Sequence, residues 1–171
     1  MKIKGLLKIS STFLVLSWMI VVFLFSSQNG KESNRTSGIV INKINTVISS
    51  EKDLEQLQIR EEEEQDVNNV YNYPSNIQSV VRKNAHYFLY LVGGVLLSIF
   101  FYIFVNMKYA ILTMIIGILY AISDEFHQIF VPGRTSSIVD VGIDTLGIMT
   151  GLILFIMVYQ IFKKNCLYFK K

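Results

Sequence analysis

Four long apolar segments run along the chain, and polar residues predominate between them. The segments are Leu6 to Phe25, Arg82 to Asn106, Tyr109 to Val131 and Ile138 to Phe162. A helix needs about 20 residues to cross the roughly 30 Å hydrocarbon core of a membrane, and each segment reaches that length. The pattern therefore predicts an all-α integral membrane protein, a bundle of four transmembrane helices.

The composition agrees with this prediction. Of 171 residues, 51% are hydrophobic and only 17% are charged, which is more apolar than a soluble domain of this size usually is. We expect a multi-pass protein of the cell membrane that contacts membrane lipids and has no nucleic-acid partner. Cys166 is the single cysteine, so disulfides play no part.

Lysines mark one side of the predicted bundle. The two termini and the connection between the second and third spans hold no acidic residue and eight lysines, namely Lys2, Lys4, Lys8, Lys108, Lys163, Lys164, Lys170 and Lys171. The positive-inside rule then predicts that both termini are cytoplasmic. A cleaved signal peptide is the alternative for the first span. We favour a retained span, because no small-residue cleavage pattern appears around Phe25.

The spans and their charges divide the chain into four parts. Residues 1–25 form the first transmembrane helix, 26–81 an acidic extracytoplasmic loop, 82–162 a three-helix membrane core, and 163–171 a basic cytoplasmic tail. In the loop, Val40, Ile44, Val47 and Ile48 recur with the period of a helix. This spacing predicts an amphipathic helix on the outer membrane surface.

The third and fourth spans are predicted to form an antiparallel hairpin on the outer side. Between them, Val131-Pro132-Gly133-Arg134 has the composition of a tight turn. Ser137 and Asp140 are spaced as an N-cap and its N3 acid at the start of the fourth helix. Gly147 and Gly151 form a small-xxx-small pair, which would let another helix approach closely.

Polar residues on the last three spans are confined to their outer thirds. Asp124, His127 and Gln128 share one face of the third helix, whereas Glu125 is turned about 100° away. Ionisable groups inside a membrane are costly, so they are candidates for function. Burying the polar stripes of all three helices requires that they meet. The predicted cluster comprises Arg82, Lys83, His86, Asp124, Glu125, His127, Gln128, Arg134, Asp140 and Asp144.

The motifs that carry these residues form a distinctive combination. They are residues 82–86 followed by Tyr90, 123–128, 132–134, Asp140 with Gly147 and Gly151, and Phe25-Ser26-Ser27-Gln28 at the end of the first span. Together they resemble the VanZ-like family of bacterial membrane proteins. The resemblance implies a link to low-level resistance to the glycopeptide antibiotic teicoplanin, without an established biochemical activity. Asp144 departs from the pattern, since the resemblance leads us to expect asparagine there.

The first functional hypothesis is a non-catalytic envelope protein. Its outer pocket would bind an anionic or amide-bearing headgroup, such as that of a lipid-linked wall precursor or a surface glycolipid. Arg82, Lys83 and Arg134 would hold phosphate, because the guanidinium fork of arginine matches phosphate.

The second hypothesis is an intramembrane hydrolase or transferase acting on a lipid headgroup. His86 and His127 would act as base or metal ligands, and Glu125 or Asp124 as the general acid or base. Two histidines and two carboxylates suffice for a divalent metal, although no strong metal-binding spacing is present. The cofactor therefore stays unassigned.

The third hypothesis is structural, with the polar residues pairing only to lock the helices together. A transporter is disfavoured, because the inner halves of the last three spans are apolar and would block a polar path.

Overall fold

The structure is a computed structural model that describes residues 2–29, 36–41, 43–44, 46–47, 75–105, 108–134 and 136–168. Its long helices are α1 (Lys2–Ser26), α2 (Ser75–Val105), α3 (Tyr109–Gln128) and α4 (Ile138–Tyr168). Each contains a stretch long and apolar enough to cross a membrane, namely Lys4–Ser26, Ser79–Val105, Tyr109–Gln128 and Ile138–Lys164. The prediction of an all-α bundle of four membrane-spanning helices is confirmed.

The hairpin between α3 and α4 is tighter than the hydrophobic pattern indicated. Helix α3 ends at Gln128, three residues before the predicted end at Val131. The backbone N–H groups of residues 129–131 donate to carbonyls three residues back, over 3.1–3.3 Å, which is the tightened pattern of a helix end. Gly133 then has φ 75, a conformation that glycine adopts without steric cost. The predicted turn is thus present.

Helix α2 is the centre of the bundle, contacting the three other long helices and α4 most extensively. A Cβ atom on Gly151 would overlap the carbonyl of Leu91, and one on Gly94 would overlap the carbonyl of Ile148. The two backbones therefore pack directly against each other. This is the close approach that the small-xxx-small pair on α4 predicted.

Helix α1 is joined to the other helices by polar contacts as well as by packing. The indole N–H of Trp18 donates to the carbonyl oxygen of Leu89 at 2.8 Å, and the Tyr120 hydroxyl donates to that of Met19 at 2.7 Å. The buried core draws on all four helices and comprises Val15, Trp18, Val22, Tyr90, Leu97, Ala121 and Ile148. Helix α1 is therefore an integral part of the bundle.

The outward surfaces of the helices are apolar. Phe13, Ile111 and Phe162 are among many large hydrophobic side chains that are more than 60% exposed. A soluble monomer rarely presents so much contiguous apolar surface, whereas lipid tails accommodate it. The polar residues must therefore be sought between the helices.

The described residues of the predicted loop helix, 36–41, 43–44 and 46–47, are helical. Val40, Ile44 and Val47 present an exposed apolar stripe, as the periodicity predicted, while Ile41 is buried. Ile48, together with the rest of residues 48–74 of the acidic loop, lies outside the described residues.

Candidate functional site

The last turn of α3 provides the acidic side of a polar cluster. Asp124, Glu125 and Gln128 are all buried, on a face that continues the small buried positions Gly117 and Ala121. Although Glu125 is rotated about 100° from Asp124, the buried face of α3 is wide enough to hold both carboxylates. The side chains converge at the same end of the bundle as the start of α4.

His86 of α2 faces two buried aspartates. Its Nδ1 atom lies 3.9 Å from Oδ2 of Asp124 and 3.8 Å from Oδ1 of Asp144. These separations exceed hydrogen-bond length. Ligand atoms of the three side chains all lie within 4.8 Å of one another. Three helices thus place an imidazole and two carboxylates around one point.

Asp124 is held in place by neighbours from two helices. Its Oδ2 atom accepts a hydrogen bond from the Ser26 hydroxyl at 2.8 Å and another from the Gln128 amide at 3.2 Å. Ser26 is the last residue of α1 and is fully buried. The first span therefore contributes directly to the cluster, although it carries no ionisable residue at this end.

Glu125 joins α3 to the start of α4. Its Oε2 atom accepts a hydrogen bond from the backbone N–H of Ser137 at 2.9 Å, while the Ser137 hydroxyl accepts one from the N–H of Val139 at 3.2 Å. The predicted N-cap is therefore present. Asp140, expected to complete it from the N3 position, instead pairs with Lys83 at 2.8 Å. Glu125 supplies the missing acceptor from the neighbouring helix.

A pocket opens at this end of the bundle, and seven of the ten predicted site residues line it. Its lining, completed by one apolar residue, consists of Arg82, Lys83, His86, Glu125, Gln128, Asp140, Ile143 and Asp144. Asp124 lies behind the lining, beside His86. Arg82 lines the pocket and makes no hydrogen bond or ion pair with the part of the chain that the structure describes.

Arg134 is placed differently from the expectation that it would reach into the pocket. Its guanidinium donates to the carbonyl oxygens of Gln28 (3.2 Å) and Phe25 (3.0 Å), and to Oε1 of Gln128 (3.4 Å). Burial lowers the pKa of Arg134 from its ordinary value, and the nearby cation Arg82 lowers it further. Arg134 therefore connects the end of α1 to the α3–α4 turn and does not line the pocket.

His127 also lies away from the pocket. Its ring packs on Phe23 of α1, with centroids 4.7 Å apart, and its buried Nδ1 atom has no hydrogen-bond partner among the described residues. The spacing of Asp124 and His127 put them on one face of α3, but α1 packs against the part of that face that carries His127. Of the two histidines, His86 is the one that lies in the pocket.

Ser26 and Tyr90 belong to the site but were missing from the predicted cluster. The Tyr90 ring stacks on His86 at a centroid distance of 6.5 Å, and its buried hydroxyl has no hydrogen-bond partner among the described residues. A sequence signal existed for both. Tyr90 follows His86 by one helical turn, and Ser26 belongs to the motif 25–28 at the end of the first span.

Comparison with known proteins gives one result. A family model described as VanZ/LLP1 matches residues 11–161, which include the polar residues of the cluster and the carbonyl groups that hold Arg134. No curated protein and no solved structure gives a significant match.

Proposed function

This chain belongs to the VanZ/LLP1 family, and from that premise we propose that its pocket binds the polar headgroup of a cell-envelope lipid or lipid-linked wall precursor. The protein would do so at the outer face of the bacterial cell membrane. Binding the headgroup would make it less accessible to teicoplanin, which would account for a role in glycopeptide tolerance.

The observation that carries this proposal is the position of a charged pocket against a lipid-facing surface. Arg82, Lys83 and His86 line one side, and carboxylates of α3 and α4 line the other. Phe130 and Ile138, on either side of the α3–α4 turn, are 70% and 90% exposed. An amphiphile matches both features, because its headgroup fits the pocket while its acyl or prenyl chain lies on the apolar exterior.

The charges favour a headgroup that carries phosphate together with amide, hydroxyl or amine groups. Arg82 has no partner among the described residues, and its guanidinium can donate two parallel hydrogen bonds to phosphate oxygens. Lys83 pairs with Asp140, so its main contribution to the pocket is positive potential and not a free hydrogen-bond donor. Glu125 and Asp140 supply acceptors for the N–H and O–H groups of a sugar or peptide.

The test is binding of phosphate-bearing envelope lipids to the purified full chain in nanodiscs, with Arg82→Ala compared with Lys108→Ala. Lys108 is an exposed lysine at the opposite end of the bundle, between α2 and α3. Loss of a charged, bidentate contact of about 1.5–3 kcal/mol predicts roughly 10- to 150-fold weaker binding for Arg82→Ala. Lys108→Ala should bind as the unmodified chain does.

The same pair of variants is used to compare candidate ligands and to test the link to teicoplanin resistance. A polyprenyl-pyrophosphate precursor, a surface glycolipid and phosphatidylglycerol are compared as ligands. Cells that express each variant at equal membrane levels are tested for teicoplanin susceptibility. Equal binding and equal susceptibility of the Arg82→Ala and Lys108→Ala proteins would rule out the pocket as the working surface.

A second candidate function is enzymatic, and the position of His86 between Asp124 and Asp144 favours it. An imidazole with neighbouring carboxylates is a common acid–base arrangement in hydrolases and transferases. Turnover of an envelope lipid extract by the purified protein, abolished in His86→Gln, would support this function. If the lipids are unchanged after prolonged incubation, the enzymatic function is excluded and headgroup binding is the remaining candidate.

A further inference from the structure

The geometry points to a divalent transition-metal site formed by His86, Asp124 and Asp144 at the base of the pocket. The proposal goes beyond headgroup binding and does not depend on it. One donor atom from each side chain lies within 4.8 Å of the other two. The three residues come from α2, α3 and α4, so the ion would tie together the helices that form the pocket.

The distances suit a shared ion better than direct contacts. His86 Nδ1 is 3.9 Å from Asp124 Oδ2 and 3.8 Å from Asp144 Oδ1, too far for hydrogen bonds. Two donors that each lie about 2.0–2.2 Å from one zinc ion are separated by about 3.4 Å in a tetrahedral site and by at most about 4.4 Å in any geometry. Small rotations of the aspartate side chains close the remaining gap.

Asp144 gives an independent indication that a ligand belongs here. Its side chain is only 1% exposed, and neither carboxylate oxygen has a hydrogen-bond partner among the described residues. Buried carboxylates are ordinarily hydrogen-bonded, paired or bound to a metal, because an isolated one is very costly. The Tyr90 hydroxyl, buried next to His86 along α2, is likewise without a partner in the described part of the chain.

The donor set indicates the class of metal. A neutral imidazole and two carboxylates carry a net charge of −2, which a divalent cation cancels. Mixed nitrogen and oxygen donors suit Zn²⁺, Mn²⁺ or Fe²⁺, whereas Mg²⁺ prefers oxygen donors only. Ser26 and Gln128, which donate to Asp124, would orient that ligand as outer-shell partners do. Three protein ligands leave a position open towards the pocket.

The experiment measures metal binding by the full chain purified in detergent, with the ion alone as the probe. Protein is stripped with chelator, loaded with Zn²⁺, dialysed and assayed for metal content, and affinity is then measured by calorimetry. We expect one bound Zn²⁺ per chain and no comparable binding of Mg²⁺. Cobalt substitution should give a visible absorption spectrum typical of a low-coordinate nitrogen and oxygen site.

Variants assign the ion to these residues. Loss of an outer-shell partner alone typically weakens metal binding about 10- to 100-fold, so Asp144→Asn and His86→Gln should weaken it at least about 100-fold. His127→Gln is the matched control, because His127 packs on Phe23 away from the cluster. It should retain the affinity of the unmodified chain.

The outcomes are decisive even if a variant fails to fold. Unmodified protein without stoichiometric Zn²⁺ after loading would overturn the proposal, as would Zn²⁺ binding that survives in folded Asp144→Asn and His86→Gln proteins. The headgroup proposal fails separately, because it is tested with lipid and Arg82→Ala. Metal binding in lipid-free detergent is independent of that result.

Discussion

At the scale of single residues, the two buried aspartates of the cluster differ in how they are supported. Asp124 accepts hydrogen bonds from Ser26 and Gln128, whereas Asp144 accepts none from the described residues. Both side chains are nearly inaccessible. The cost of desolvation is therefore offset by hydrogen bonds at Asp124 but not at Asp144, where a bound cation would offset it.

Ser26→Ala tests the support of Asp124. The change should lower the free energy of unfolding by about 1–2 kcal/mol, because it leaves a buried carboxylate oxygen with one donor fewer. The measurement is chemical unfolding in detergent, followed by the fluorescence of Trp18, the single tryptophan. Ser27→Ala is the control. Its exposed hydroxyl donates to the carbonyl of Phe23, one turn back in α1, so we expect a change within about 0.5 kcal/mol. Equal losses would contradict a specific role for Ser26.

At the scale of helices, the sequence was sufficient for the spans and the hairpin. The length of each apolar segment matches the thickness of a membrane. Pro132 restricts the backbone and Gly133 allows conformations closed to other residues, so together they identify the turn. In the loop of residues 26–81, the periodic segment was predicted to be a helix on the outer membrane surface. Its described residues are helical, and its position on that surface stays a prediction. The bounds of α2 and α4 extend beyond the apolar runs because helices continue into the polar region.

The contacts between helices could be predicted only in part. Helical period shows which residues share a face, but it does not show which neighbour covers that face. His127 and Arg134 were expected in the pocket, and the structure places both against α1 instead. Their contacts depend on how α1 packs, and α1 has no polar stripe from which that packing could be read. Glu125, Asp140 and His86 line the pocket as expected, because their helices pack through glycines directly below it.

Gly151→Ala tests the close packing of α4 on α2. A Cβ at this position would overlap the backbone of Leu91, so the helices must separate, at a cost of about 1–3 kcal/mol in the free energy of unfolding. Gly142→Ala is the control on the same helix, where a Cβ would meet no atom within 4 Å. There the better helix propensity of alanine should leave stability unchanged or raise it by up to about 1 kcal/mol. Similar effects of the two changes in the Trp18 fluorescence assay would contradict direct backbone packing.

At the scale of the whole molecule, the polar groups are divided between the two ends of the bundle. The pocket end holds the four membrane-embedded acids together with Arg82, Lys83 and Arg134, while the opposite end holds lysines without acids. Under the predicted orientation, the cations at the pocket end run against the positive-inside rule. The structure provides Lys83 with Asp140, and Arg134 with backbone carbonyls. Local partners thus offset two of the three cations, whereas Arg82 has no such partner among the described residues.

This division predicts that the pocket opens outside the cell, which cysteine labelling can test. In Cys166→Ser protein carrying Ser136→Cys, the new thiol lies in the exposed α3–α4 connection. A membrane-impermeant maleimide should label it on intact cells. The native Cys166, near the lysine-rich C-terminus, should be labelled in unmodified protein only after the cells are permeabilised, and Cys166→Ser alone gives the background. The reverse labelling pattern would put the pocket in the cytoplasm. It would exclude action on outer-leaflet headgroups, while the metal site, which depends only on contacts within the bundle, would be unaffected.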